Sequence, residues 1–141
     1  MSVSSFRLEM MQVARLAPKV LGSEATDLIR SFVKSQFVPT GGFGDREGRA
    51  DLYYTIFGIE NALALDLELP WDTLDSYLKS FEHGQRLDFV HLCSWLRGLA
   101  SAKSPWLKQV DRDLVTQHLL AHRCEDGGFH AAKGREQGSA Y

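Results

Sequence analysis

The chain has little of what marks secreted, membrane-spanning or nucleic-acid-binding proteins. Its two cysteines, Cys93 and Cys124, are too few to hold a fold together by disulfides, which favours a reducing cytoplasm. No apolar run approaches the roughly 20 residues that a membrane span needs. Arg7 and Glu9 interrupt the apolar residues near the start, so no secretory signal is predicted.

Charge of one sign is also lacking. The formal net charge is −2 and the Lys and Arg residues are scattered, so neither nucleic acid nor an anionic membrane is expected as a partner. The hydrophobic fraction of 44% and the charged fraction of 24% are typical of a globular protein. At 141 residues, the chain is predicted to form a single domain.

Glycines recur at a fixed spacing. Gly41, Gly84 and Gly127 are 43 residues apart, and a Gly-Gly-Phe sequence begins at the first and the third of them. The segment Ser31–Ser35 also matches Ser76–Ser80 with conservative changes. A fixed period of this length indicates a repeat architecture. The predicted units span about 23–67, 70–101 and 110–141, after an opening helix at 5–18.

Each unit is predicted to contain a helix, a glycine turn and a second helix. The second helices, Leu52–Leu67 and Phe89–Leu99, are apolar around most of their circumference, which predicts burial on most sides. Asp51, Asp88 and Ser139 precede these helices as N-caps. The first helices have one apolar stripe each: Leu28, Ile29, Phe32 and Val33; then Leu74, Tyr77, Leu78 and Phe81; then Leu114, Val115 and Leu119.

The alternation of one-sided and all-round apolar helices predicts an all-α fold with two layers. Stacked helical hairpins of this kind curve into a solenoid or close into a ring. The glycine pairs at 41–42 and 127–128 suit tight reversals that need positive φ. Phe43 and Phe129 are then predicted to plug between neighbouring hairpins as core residues.

The first glycine turn and the helix after it, Gly41–Gly48 and Asp51–Ile59, resemble the α/α-toroid superfamily of protein prenyltransferase β subunits and terpenoid cyclases. They are most similar to the geranylgeranyltransferase type II β subunit. Gln36 followed by the Gly-Gly-Phe sequence is related to the glutamine–tryptophan repeat of triterpene cyclases. The resemblance covers residues 23–141 and implies repeated helical hairpins that form about half of an α/α toroid, because six such hairpins take roughly 260 residues.

The resemblance implies transfer of a geranylgeranyl-type isoprenoid from its diphosphate to a protein cysteine, with zinc or Mg²⁺ assisting and a partner subunit. In that family an Asp-x-Cys and a later His bind zinc. Here the matching residues are Asp51, Tyr53 and His91, and an Asp with a lone His cannot complete a four-coordinate zinc site. The sequence therefore predicts no metal site and assigns no catalytic residue, unless residues beyond Tyr141 supply the ligands.

Two other functions stay open. One is a non-catalytic toroid that binds or scaffolds, and the other is a terpenoid cyclase, although the Asp-x-Asp-Asp run of class II cyclases is absent. A partial chain, or two copies that associate to close the ring, are the two explanations for the missing half. The set His118, His122, Cys124 and His130 is not expected to bind a metal, because two of its members lie in the glycine turn.

Seven residues are candidates for contacting the isoprenoid or its diphosphate by resemblance. The aromatic members would line a central funnel, with plain core packing as the alternative. The basic members lie before a helix N-terminus, where cations form an anion site, with solvated loop charges as the alternative. The seven are Arg46, Arg49, Tyr53, Tyr54, Phe57, His91 and Trp95.

Overall fold

A computed structural model describes residues 6–139, which form mostly helices joined by glycine-containing turns. The prediction that the chain is mostly helical is confirmed. The structure also contains a hairpin of two very short antiparallel strands, in which Phe43 pairs with Asp51; the sequence patterns did not predict it. Residues 5, 140 and 141 of the predicted units lie outside the described residues. The elements are α1 (Phe6–Ala14), α2 (Ala17–Leu21), α3 (Ser23–Ser35), β1 (Phe43–Gly44), β2 (Ala50–Asp51), α4 (Leu52–Ala64), α5 (Trp71–Lys79), α6 (Phe89–Ser101), a 3₁₀ turn (Pro105–Lys108) and α7 (Arg112–Leu120).

Aspartates set the starts of three helices. The Asp51 carboxylate accepts hydrogen bonds from the backbone N–H groups of the first turn of α4, and Asp88 accepts one from His91 N at 2.9 Å in α6. Asp111 caps α7 in the same way. Each cap satisfies donors that the helix itself leaves unpaired, which contributes about 1 kcal/mol. The predicted caps at Asp51 and Asp88 are confirmed.

The opening segment departs from its prediction. Instead of one helix over 5–18, α1 ends at Ala14 and α2 begins at Ala17. Pro18 lies in the first turn of α2 and has no N–H to continue the preceding helix, so the chain breaks there. Arg7 holds α1 against the rest of the fold through Glu60 of α4, at 3.1 Å, and through Ser101 of α6.

The three glycines of the 43-residue spacing make the same backbone turn. Gly41, Gly84 and Gly127 have φ of 89°, 71° and 85°, the left-handed region that favours glycine. Each donates its N–H to the carbonyl oxygen three residues earlier, at 2.8–3.0 Å. The accepting residues are Val38, Phe81 and Cys124.

The first and third turns share further hydrogen bonds. Gly44 N donates to Gln36 O at 2.9 Å, and 86 residues later His130 N donates to His122 O at 3.0 Å. The bridge between Phe37 and Phe43 likewise has a counterpart between Arg123 and Phe129. The two Gly-Gly-Phe sequences therefore share these hydrogen bonds, although their second glycines differ: Gly42 has φ of 102°, whereas Gly128 does not adopt the positive φ predicted for it.

Helices α4 and α6 pack side by side at the centre of the molecule. Ile59 of α4 and Leu92 and Leu99 of α6 are fully buried, together with Leu74 and Leu78 of α5. Burial of an aliphatic side chain of this size contributes about 1.5–3 kcal/mol. The two most apolar helices of the sequence therefore pack against each other in the core.

The first glycine turn closes tightly against two helices. A Cβ atom on Gly41 would lie 2.5 Å from Thr73 O of α5, and one on Gly42 would lie 2.7 Å from the Tyr77 ring. Phe43 is buried and packs on Gly58 of α4, where an added Cβ would lie 2.3 Å from the ring. The predicted core role of Phe43 is confirmed.

The apolar stripe predicted for α3 is only half buried. Val33 lies in the core, whereas Leu28 and Phe32 are 68% and 64% exposed. Helix α4 is not buried on most sides either, because Tyr53 and Phe57 are 46% and 44% exposed. Both predictions were wrong for these residues. Helix α1 packs on one part of α4, but Phe32 and Phe57 border a gap between α3 and α4 that residues 6–139 leave open. Among the helices of those residues, none combines the length and apolar character needed to cross a membrane.

The contact of Phe43 with Gly58 predicts the effect of a single methyl group. Gly58→Ala should lower the free energy of unfolding by about 1–3 kcal/mol, because the new Cβ would overlap the buried ring. Gly98→Ala in α6 is the matched control, since its nearest neighbour is the flexible end of Leu78 at 3.3 Å. Urea unfolding followed by circular dichroism measures both, and equal stabilities would contradict the proposed packing.

Candidate functional site

A pocket of 330 Å³ opens between α3 and α4. Its walls are mainly apolar, its floor is the buried ring of Phe43, and the side chain of Arg46 lies at its edge. Apolar pockets with a few polar groups are the usual form of small-molecule sites. The remaining lining residues are Phe32, Val33, Gln36, Gly44, Asp45, Tyr54, Phe57, Gly58 and Asn61.

Asp45 organises the loop at the edge of this pocket. Its carboxylate accepts backbone hydrogen bonds from Glu47 N at 2.8 Å and Arg49 N at 3.0 Å. It also accepts two bonds from the Arg49 guanidinium, at 3.1 Å and 3.0 Å. The backbone bond from Arg49, followed by the one from Glu47 and the guanidinium, keeps the pKa of Asp45 below its usual value despite some burial.

The two predicted arginines therefore differ. Arg49 is paired with Asp45 and, at 2.9 Å, with Glu47, so its charge is compensated inside the loop. Arg46 lines the pocket and, within the described residues, lies within 4.0 Å of no carboxylate. Of the two, Arg46 is the cation that an anionic ligand in the pocket would meet.

The predicted aromatic residues separate into an exposed group and a buried one. The Tyr53 ring packs edge-on against Phe57 at 5.1 Å and Tyr54 at 5.9 Å, and these three form a partly exposed surface of α4. Tyr54 and Phe57 also line the pocket. Trp95 is fully buried in α6 and donates its indole N–H to Leu78 O at 2.8 Å, so it lies in the core, away from this surface.

His91 joins the N-terminal ends of the two central helices. Its Nδ1 lies 2.8 Å from Asp88 Oδ2, and its Nε2 lies 3.0 Å from Asp51 Oδ2. Both aspartates are also helix caps, so one imidazole bridges the caps of α4 and α6. Only the protonated ring can donate to both carboxylates at once.

The surroundings of His91 favour its charged form. Burial by itself would lower the pKa of His91, but the hydrogen bonds to Asp51 and Asp88 and the charges of these carboxylates outweigh it and raise the pKa above 6.5. Burial likewise opposes the change at Asp88, yet the bonds from His91 lower the pKa of Asp88 below 3.8. Asp51, Asp88 and His91 form a charged cluster at the N-terminal ends of α4 and α6.

Two residues next to this cluster, Thr55 and Tyr77, were not predicted from the sequence as part of the site. The Thr55 hydroxyl donates to Asp51 O at 2.7 Å and accepts from Phe43 N at 2.9 Å, which ties the glycine turn to α4. Burial, with the charge of Asp51, raises the pKa of Tyr77 to about 12. Phe32, Gln36 and Asn61 of the pocket were also not predicted as ligand contacts. Phe32 and Gln36 lie at the C-terminal end of α3 and Asn61 lies on α4, so no single helical period joins the three.

The arrangement does not fit the zinc site that the resemblance implies. Tyr53 stands where a thiolate ligand would be needed, and both nitrogens of His91 are already bound to carboxylates. Across residues 6–139, no three His, Cys, Asp or Glu side chains come together in a way that could hold a metal ion. In the histidine set near α7, His118 Nε2 bonds to Leu87 O and His122 Nδ1 to His130 O, so backbone oxygens occupy these nitrogens.

Comparisons with known proteins add no relative. A scan against models of protein families matched none, and searches of curated proteins and of solved structures found no match. The resemblance to prenyltransferase β subunits therefore depends on the residues of this chain alone.

The raised pKa of His91 predicts how stability changes with pH. The contribution of its ion pairs should be fully present below about pH 6.5 and should be lost as pH rises through the raised folded-state pKa. Because the side chain is one-third exposed, each pair should contribute no more than about 1 kcal/mol. Urea unfolding of wild type and His91→Gln at about pH 5.5 and pH 8.5 measures this difference.

The His91→Gln protein retains every other titrating group of the wild type. The difference in stability between the two proteins therefore reports the titration of His91 alone. The stability gap between the two proteins should be larger at the lower pH. A gap that is the same at both pH values, or larger at the higher one, would contradict the charged bridge.

Proposed function

We propose that the chain binds an isoprenoid diphosphate in the pocket between α3 and α4, as a protein with the α/α-toroid architecture of prenyltransferase β subunits. The observation that carries this proposal is the pairing of an apolar pocket with a cation at its edge. The rings of Phe32, Phe43 and Phe57 offer an isoprenoid chain apolar surface, and Arg46 offers its diphosphate a charge partner.

The pocket extends along α4, as a site for a chain-shaped ligand would. Residues Tyr54 and Asn61 line the same wall of α4 and are seven residues apart, which is about 10 Å along a helix. Arg46 lies in the loop that precedes α4 and lines the pocket together with Tyr54 of the first turn of that helix. An amphipathic anion with its head at this end and its tail along α4 satisfies both features.

The matching turns support the toroid part of the proposal. Glycine turns with the same hydrogen bond lie 43 residues apart, and two of them share their neighbouring bonds. Helices α4 and α6, which follow the first and second turns, pack together as successive inner helices of a toroid would.

Binding is supported better than transfer to a cysteine, the reaction that the resemblance implies. Transfer needs an activated thiolate, and the described residues lack the ligand set that would hold a zinc ion for it. Transfer, together with a partner subunit and a cytoplasmic location, stays a prediction. A terpenoid cyclase is the least supported of the three functions, because its acidic run is absent from the sequence.

The two arginines of the loop provide a direct test. Arg46→Gln should weaken binding of geranylgeranyl diphosphate about tenfold to a hundredfold, the effect of removing a charged hydrogen-bond partner. Arg49→Gln is the matched control, since its guanidinium is held by Asp45 and Glu47. Isothermal titration calorimetry measures both. Absence of saturable binding to wild type at high micromolar ligand would refute the proposal itself.

The apolar end of the pocket is tested separately. Phe57→Ala should weaken geranylgeranyl diphosphate binding by about tenfold, because part of the buried apolar contact is lost. Leu120→Ala removes a similarly exposed apolar side chain on α7 and should leave the affinity unchanged. Equal affinities for the two variants would place the ligand outside this pocket.

A further inference from the structure

The large exposed apolar side chains of the described residues are concentrated in the first part of the chain. All of them except Leu120 lie at or before Phe57. A concentration of this kind on a protein surface marks an interaction site. Among the three helices of 13 residues, α3, α4 and α6, the most exposed large apolar side chains are Leu28 and Phe32, one turn apart on α3.

The charges beside this pair have a symmetric arrangement. Asp27 and Lys34 are exposed, carry opposite charges and lie two turns apart on one flank of α3. The midpoint between them falls at residue 30–31, and the midpoint of Leu28 and Phe32 falls at residue 30. One two-fold axis near the middle of α3 therefore relates both pairs.

We infer that α3 is the contact surface of a homodimer in which two copies of this helix pack antiparallel. Leu28 of each copy then faces Phe32 of the other, and Asp27 of each faces Lys34 of the other. Side chains on the same flank of two antiparallel helices meet each other, so the two opposite-charge pairs form together. This reciprocity is the property of an isologous interface.

The other features of α3 agree with a second copy as the partner. Ser31 is small, exposed and close to the axis, so the two backbones can approach. The Asp27 carboxylate has only a long contact of 3.5 Å with its own Arg30, whose guanidinium donates to Leu65 O at 2.7 Å. It therefore remains able to pair across the interface.

A lipid surface fits this helix less well. Glu24 and Asp27 balance Arg30 and Lys34, so α3 has no net charge to attract an anionic membrane. The dimer does not depend on the proposed ligand. Phe32 also lines the pocket, but Asp27 and Lys34 do not, so changes at the two charges test the interface without touching the ligand site.

Charge reversal and exchange test the inference. The full chain of 15.8 kDa should sediment at twice this mass at about 100 μM, where a homodimer of micromolar affinity is mostly formed. Lys34→Asp and Asp27→Lys should each weaken the dimer about tenfold, because two attractive pairs become repulsive. The double variant, with the charges exchanged, should restore the wild-type dissociation constant.

Lys108→Asp is the control for net charge, since this exposed lysine lies outside α3 and should leave the dimer unchanged. Circular dichroism checks that each variant is folded. A wild-type protein that stays monomeric at about 100 μM would overturn the inference. So would a dimer that both single reversals leave intact, or a double variant that does not recover, because either result places the contact on another surface.

Discussion

The fold depends on the close approach of the first glycine turn to α5. Side chains at Gly41 or Gly42 would collide with Thr73 and Tyr77, so the turn can approach this helix only because both residues lack a Cβ. This approach places the Phe43 ring against Gly58 of α4. The floor of the pocket and the entry to α4 are both consequences of this packing.

The aspartates near the first glycine turn and the helix starts mainly satisfy backbone N–H groups. Asp45 holds its loop by accepting backbone N–H groups and thereby captures Arg49, which leaves Arg46 as the cation at the pocket. Asp51 and Asp88 cap two helices and share His91 between them. The carboxylates that a metal site would use are thus engaged in holding the ends of the central helices together.

Only part of the candidate site could be predicted from sequence. Tyr54, Phe57 and Arg46 were expected to meet a ligand, and the structure brings them to one pocket. Trp95 was placed with them by the resemblance, as an aromatic residue of a predicted inner helix, yet its indole lies in the core. Helical periodicity identifies which residues share a face, but which neighbour covers that face depends on contacts between distant segments. Phe32 was misassigned to the core for this reason.

The sequence alone determined the helical class, the positions of the turns and the caps of α4 and α6. These are local properties: positive φ requires glycine, and an aspartate reaches N–H groups two or three residues ahead of it. Tertiary structure alone decided which apolar residues are exposed and that one histidine bridges two caps. Those outcomes depend on distances between residues up to 40 positions apart in the chain, such as Asp51 and His91, and no local pattern encodes such distances.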